Sequence, residues 1–194
     1  MGKIVVSEFV SLDGVIEDPG GSEAFERGGW AFEFGRGAEG DQYKVDELFA
    51  SDALLLGRVT YEGFAAAWPG RSDEAGFADK FNSMPKYVVT ATLNEPLSWQ
   101  NSTAIRGNVA EEVARLKERY DYIMVNGSAQ LAQTLAAHNL VDEYRLMVFP
   151  VVLGGGKRLF TESDHASALR LVECRPVGPD GVFVVTYTSA TKGT

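Results

Sequence analysis

Gly57, Arg58 and Thr60 stand together in "LLLGRVTYEGF", where a short apolar run stops and a helical pattern begins. A glycine there lets the backbone turn closely, the arginine supplies a forked cation, and the threonine can cap the helix that follows. The first N–H groups of a helix lack partners within it, so such a junction can hold an anion, phosphate above all. A second junction of this kind is "VNGSAQL", where Gly127 permits close approach and Ser128 can cap the next helix. Taken singly, each is ordinary turn chemistry, because strand–glycine–helix junctions are frequent in α/β proteins. Taken together, two helix N-termini at one sheet edge suit a ligand with several phosphates.

Two aspartates are candidates for proton handling. Asp13, in "SLDGVI", follows the first strand, where an Asp-Gly pair also makes a plain turn. Asp41 opens a helical pattern, where an aspartate also serves as a natural N-cap for a helix over 42–51. "PVVLGGGKRLF" places three glycines before Lys157 and Arg158, but it lacks the GK[ST] ending of a P-loop and reads as a structural turn. Other chemistries are disfavoured. The net charge of -9 argues against nucleic acid, whose phosphates need a basic surface. Cys174 is the single cysteine and the two histidines, His138 and His165, lack ligand spacing, so no metal site is expected. No apolar run has the length to span a membrane and no signal-peptide pattern opens the chain, so a soluble cytoplasmic protein is expected.

The elements that must position these residues follow from hydrophobic period. "KIVVSEFV" reads as a buried strand, "DQYKVDELFAS" as a helix with Val45, Leu48 and Phe49 on one face, and "ALLL" as a short strand. "TYEGFAAAW" is a helix ended by Pro69-Gly70, and "KYVVTATL" a strand. Asn108 with Glu111 marks a capped helix start. "YIMVNG" is a strand and "SAQLAQTLAAHNL" a helix. This alternation predicts a parallel sheet covered on both faces. "EYRLMVFPVVL" is a further strand, and "ALRLVECRPV" and "GVFVVTYTS", joined through "GPDG", add an antiparallel hairpin. One domain over residues 1–189 with a tail at 190–194 is expected. Between strand one and the first helix, residues 18 to 40 hold seven of the 21 glycines, interleaved with Phe25, Trp30, Phe32 and Phe34. Such a segment suits a lid or binding loop, and its aromatics fit poorly with disorder.

"VSLDGVI", "LLLGRVTYE", "PKYVVTATL", "NGSAQLAQTL" and "LVDEYRLMVFPVVLGGGKRLF" occur in this order ahead of the terminal hairpin. With that order and spacing, the chain resembles the dihydrofolate reductase-like superfamily. It is most similar to the reductase domain of bacterial riboflavin-biosynthesis deaminase-reductases and its small stand-alone relatives. The resemblance implies a mostly parallel α/β sheet with flanking helices and an antiparallel C-terminal hairpin. It also implies NADPH as cofactor, held by Gly57, Arg58 and Thr60, by Asn126, Gly127 and Ser128 at the pyrophosphate, and by Thr90 and Ala91 on the adenosine side. Asp13 and Ile16 would then lie near the nicotinamide. Counting back without gaps from Gly57 and Arg58 puts Asp41 where folate reductases carry the acid that binds the pterin. Trp30, Phe32 and Phe34 would stack on a flat heterocycle or seal the core, and Arg27 and Arg36 are available in the lid for a substrate phosphate. No zinc-deaminase motif occurs in these residues, so the bifunctional enzyme is not expected.

The function so implied is an NADPH-dependent reductase of a pterin-like or riboflavin-pathway pyrimidine, acting as a homodimer through its C-terminal strands. The alternative is a non-catalytic nucleotide-binding or regulatory module that keeps the cofactor cleft.

Overall fold

The structure, a computed structural model, describes residues 1–162 and 166–190; His165 and most of the expected tail lie outside them. Eight strands form one sheet in the order β4-β3-β2-β5-β1-β6-β8-β7. The strands are β1 (Lys3–Ser11), β2 (Ala53–Gly57), β3 (Lys86–Val89), β4 (Ser102–Ile105), β5 (Tyr122–Val125), β6 (Glu143–Phe149), β7 (Leu169–Val177) and β8 (Val182–Ser189). The helices are α1 (Gly37–Ala50), α2 (Arg58–Ala67), α3 (Phe77–Ser83), α4 (Val109–Arg119) and α5 (Ala129–Ala137). The first six strands pair in parallel, and β8 runs antiparallel to both β6 and β7. This is the expected architecture.

β1 lies at the centre because its side chains are apolar in both directions. Ile4, Val6 and Val10 join Val113 and Leu116 of α4 and Leu131 and Leu135 of α5 in one core. Val5 points the other way, into a second core with Leu48 of α1, Tyr61 of α2 and Phe81 of α3. A strand buried on both faces has to be apolar at nearly every position, which is why "KIVV" and "ALLL" show no alternation. The predicted α4 start is observed: Asn108 accepts from the N–H of Ala110 at 3.1 Å, and its amide donates to Glu111 at 2.8 Å.

Three elements depart from expectation. α1 begins at Gly37, four residues before Asp41, so Asp41 lies inside the helix and caps nothing. Its start is set from outside, by the β7–β8 turn. A Cβ on Gly37 would come within 2.9 Å of the Gly178 backbone, and the Asp180 carboxylate accepts from the Gly35 N–H at 2.6 Å. The same helix buries Gly40, Glu47 and Leu48 and leaves Phe49 exposed. Two short elements escape hydrophobic period altogether. α3 is nucleated by the Asp73 carboxylate, which accepts from the Phe77 and Ala78 N–H groups, and β4 exists by pairing with β3.

Candidate active site

The chain crosses over at the centre of the sheet. From β1 the chain builds β2, β3 and β4 on one side and returns as β5 beside β1, then crosses to β6 on the other side, and a crevice opens at the strands' carboxyl ends. There lies a cleft of about 900 Å³. Its walls come from the ends of β1 (Ser7, Glu8, Phe9), the β2–α2 junction (Gly57, Arg58, Thr60), the end of β3 (Thr90, Ala91) and the β5–α5 junction (Asn126, Gly127, Ser128). Ile16 closes one side. Every residue expected to hold the cofactor therefore lines this one cleft.

The two junctions are tied together, and not by the caps the residue types suggested. Neither α2 nor α5 has a side-chain cap. Ser128 occupies the N-cap position of α5 in the left-handed region, at φ 64°, which turns its hydroxyl away from its own helix. That Oγ accepts from the Gly57 N–H and donates to Thr60 Oγ1, both at 2.8 Å. Gly127 must be glycine for two reasons: its φ is +56°, and a Cβ there would lie 2.8 Å from Thr60 Oγ1. Because neither helix is capped by its own sequence, the first-turn N–H groups of both are left for a ligand in the cleft. Arg58 stands at the same mouth, half exposed and paired with Glu62 at 2.7 Å. Asn126 acts as a strut, its side-chain amide donating to the Ser7 carbonyl at 2.9 Å. Thr90 Oγ1 accepts from the N–H groups of Thr92 and Leu93, which shapes the loop after β3. The donor set at the two junctions suits a dinucleotide: two uncapped helix ends, glycine backbone and the Arg58 guanidinium.

The two aspartates expected at the reacting end are placed elsewhere. Asp13 does not line the cleft. Its carboxylate accepts from Ser11 Oγ at 2.7 Å and from the N–H groups of Leu153 and Gly154 at 3.0 and 2.8 Å. Partial burial raises its pKa, but these hydrogen bonds outweigh that and pull it down to about 2. Asp13 is therefore ionised near neutral pH and fastens the glycine-rich run 153–156 to the end of β1. The same run is held by the Ile16 N–H to the Lys157 carbonyl and the Leu159 N–H to the Gly14 carbonyl, as expected of a structural turn. Asp41 is exposed on α1, beyond the cleft, and binds Arg36 at 2.6 Å. The ungapped count fails because α1 turns residues 44, 47 and 48 toward the sheet, and position 41 lies a turn too early.

The segment expected to act as a lid is an ordered loop. Asp18 is buried, and its carboxylate accepts from Ser22 and Phe25 N–H groups at 2.7 and 3.2 Å. Trp30 is an anchor in the core: its ring meets Phe149 edge-on at 5.5 Å and its indole N–H reaches the Glu17 carbonyl at 3.0 Å. Phe34 packs beside it. Only Phe32 of the three aromatics faces the cleft, with 73% of its surface exposed. Arg27 donates to the Leu153 carbonyl, and Arg36 is held by Asp41.

Sequence reasoning passed over the polar residues at the end of β1 and on α1. Lys44 lines the cleft and donates to Ser7 Oγ at 2.6 Å and to the buried Glu47, which also accepts from Ser7 Oγ at 2.9 Å. Glu8 is buried at the cleft floor. Burial drives its carboxyl well above the ordinary range, against a Gly127 backbone hydrogen bond and the Lys44 charge; Glu23 and Glu47 add to the upward push. The available signal was a glutamate in the middle of the mostly apolar central strand "KIVVSEFV", a position that must be buried. Lys157 and Arg71 also reach the cleft, so Arg58 is not its sole cation. Among the described residues no helix is long and apolar enough to cross a membrane.

Comparison with known proteins identifies the family and supports the fold. The model of the RibD C-terminal domain family matches residues 2–183. The uncharacterized protein YyaP of Bacillus subtilis (strain 168) is 31% identical over 189 residues, covering 95% of this chain and 94% of its own. Among solved structures, a Shewanella sp. PV-4 protein named for riboflavin biosynthesis superposes with a TM-score of 0.76 at 23% identity, covering 97% of this chain and 99% of its own. Dihydrofolate reductase from Enterococcus faecalis, complexed with NADP(H), superposes with a TM-score of 0.55 at 16% identity, covering 97% and 96%. By matches over most of its length to the family model and to YyaP, the chain belongs to the RibD C-terminal domain family, on the dihydrofolate reductase-like fold.

Proposed function

We propose that the protein is an NADPH-dependent reductase of a flat nitrogen heterocycle, pterin-like or a pyrimidine of the riboflavin pathway. The observation that carries this reading is the convergence of nine cofactor-type residues from four chain segments on one cleft. When bound, NADPH would supply a hydride. The chain's own part is to hold and orient. The uncapped ends of α2 and α5 would take the pyrophosphate, Gly57 and Gly127 would let it approach the backbone, and Arg58 would take an adenosine phosphate. Ile16 and Phe32 would border the two flat rings, and Lys44 would meet a polar edge of the substrate. A second copy of the chain is the proposed partner, docking through the C-terminal strands. β7 is a free sheet edge, and Leu171 and Val172 on it are each more than half exposed.

The test is a titration with NADPH and NADH followed by tryptophan fluorescence, with Arg58→Ala alongside. Micromolar NADPH binding that weakens at least about tenfold in the variant is expected, the loss of a charge-assisted contact of about 1.5–3 kcal/mol. Absence of nucleotide binding by the wild type overturns the reductase reading.

A further inference from the structure

Glu8 lies on the central strand, at the point where the carboxyl ends of β1 and β5 meet. It is 5% exposed, yet it lines the cleft beside Ile16, Asn126 and Gly127. Among the described residues, its Oε1 has no hydrogen-bond partner. A buried, unpartnered carboxyl oxygen is costly, and a strand this apolar gains nothing in packing from a glutamate. The buried Glu47 nearby also has one unpartnered oxygen, but its other oxygen is held by Lys44 and Ser7 and, unlike Glu8, it does not line the cleft. A group kept at such cost in a cleft is a candidate for chemistry.

We propose that Glu8 is the proton donor of the reduction, delivering its carboxyl proton to the substrate nitrogen that neighbours the hydride-accepting carbon. This rests on the reductase reading above. The step balances on a C=N bond of, or attached to, the heterocycle. The Glu8 O–H bond breaks and an N–H bond forms, using the former π pair of C=N. The carbon takes the hydride that the dihydronicotinamide supplies, so substrate is reduced by two electrons and cofactor oxidised by two. Glu8 is left as carboxylate and regains its proton from solvent. Burial favours the neutral carboxyl that the role needs. The charged groups that act on it are Lys44 and Glu47 of α1 and Glu23 of the loop; Arg58 and Lys157 line the same cleft.

The experiment compares wild type with Glu8→Gln, which keeps the shape and removes the acid. Infrared difference spectra of the ligand-free proteins at pH 7 should show a protonated carboxyl band present in wild type and missing in the variant. Wild-type stability should fall as the pH rises above about 4.5, because the unfolded state gives up this proton earlier; the variant should lose that slope. NADPH should still bind the variant, while turnover drops about 100-fold or more and the alkaline limb of the rate profile disappears. An ionised Glu8 at pH 7, or a variant with full turnover and an unchanged pH profile, overturns the proposal and leaves the reductase reading standing. Failure of wild type to bind NADPH overturns both, and the binding titration shows which has happened.

Discussion

Replacing Asp13 with Asn should cost stability and leave the cleft's ligand binding intact. The carboxylate is 18% exposed and collects a hydroxyl and two backbone N–H groups, with Arg158 at 3.6 Å. Its pKa falls from 3.8 to about 2 in the folded protein. At 1.36 kcal/mol per unit, that difference is worth about 2 kcal/mol between the ionised and neutral forms. Asparagine resembles the neutral form, and its amide NH2 would face one of the backbone donors, so a loss of about 2–3 kcal/mol at pH 7 is expected. For a chain of this length the melting temperature should drop by about 5–10 °C. The folded-state pKa lies below the unfolded one, so the wild-type advantage is complete above pH 3.8 and is lost as the pH falls through about 2. Urea unfolding of both proteins at pH 7 and at pH 3 measures this directly. A difference under about 0.5 kcal/mol at pH 7, or one that does not shrink in acid, refutes the clamp. So does a variant of unchanged stability that has lost turnover, which would return Asp13 to the chemistry.

Ser128→Ala removes the single hydroxyl joining the two junctions and leaves the Gly57 N–H without its partner. A loss of about 1–2 kcal/mol in urea unfolding is expected, together with weaker NADPH binding in the fluorescence titration. Unchanged binding would mean that the junctions hold their spacing without it. Sedimentation velocity should find a dimer that Val172→Lys on β7 converts to monomer; a monomeric wild type removes the C-terminal strands as an interface.

The two junctions that share the cleft were legible because they are local chemistry. Glycine at a strand–helix junction, a cation beside it and a hydroxyl at the helix start are adjacent in sequence, and the fold brings "LLLGRVT" and "VNGSAQL" to the same edge as any parallel sheet would. Even so, the local reading of Ser128 and Thr60 as caps was wrong, because their real partners are each other. The reacting end was hidden. Asp13 and Asp41 were picked by residue type and position, yet the first is occupied by backbone donors 140 residues away and the second sits a turn too early on its helix. Glu8 was passed over inside a strand read only for its apolar neighbours.

The sequence alone determined the alternation of strands and helices, the parallel sheet, the closing hairpin and the two phosphate-type junctions. Each depends on hydrophobic period or on the dihedral preference of a few adjacent residues. Tertiary structure decided which carboxyls are free. A carboxylate's state depends on burial and on donors brought from distant segments: Leu153 and Gly154 bind Asp13, and Lys44 and Ser7 bind Glu47. Glu8 lines the cleft and keeps one buried oxygen without a partner. A glutamate inside a buried strand could be seen in the sequence, but such desolvation and long-range pairing leave no mark in local spacing, so which carboxyl is held and which is not was decided by the fold.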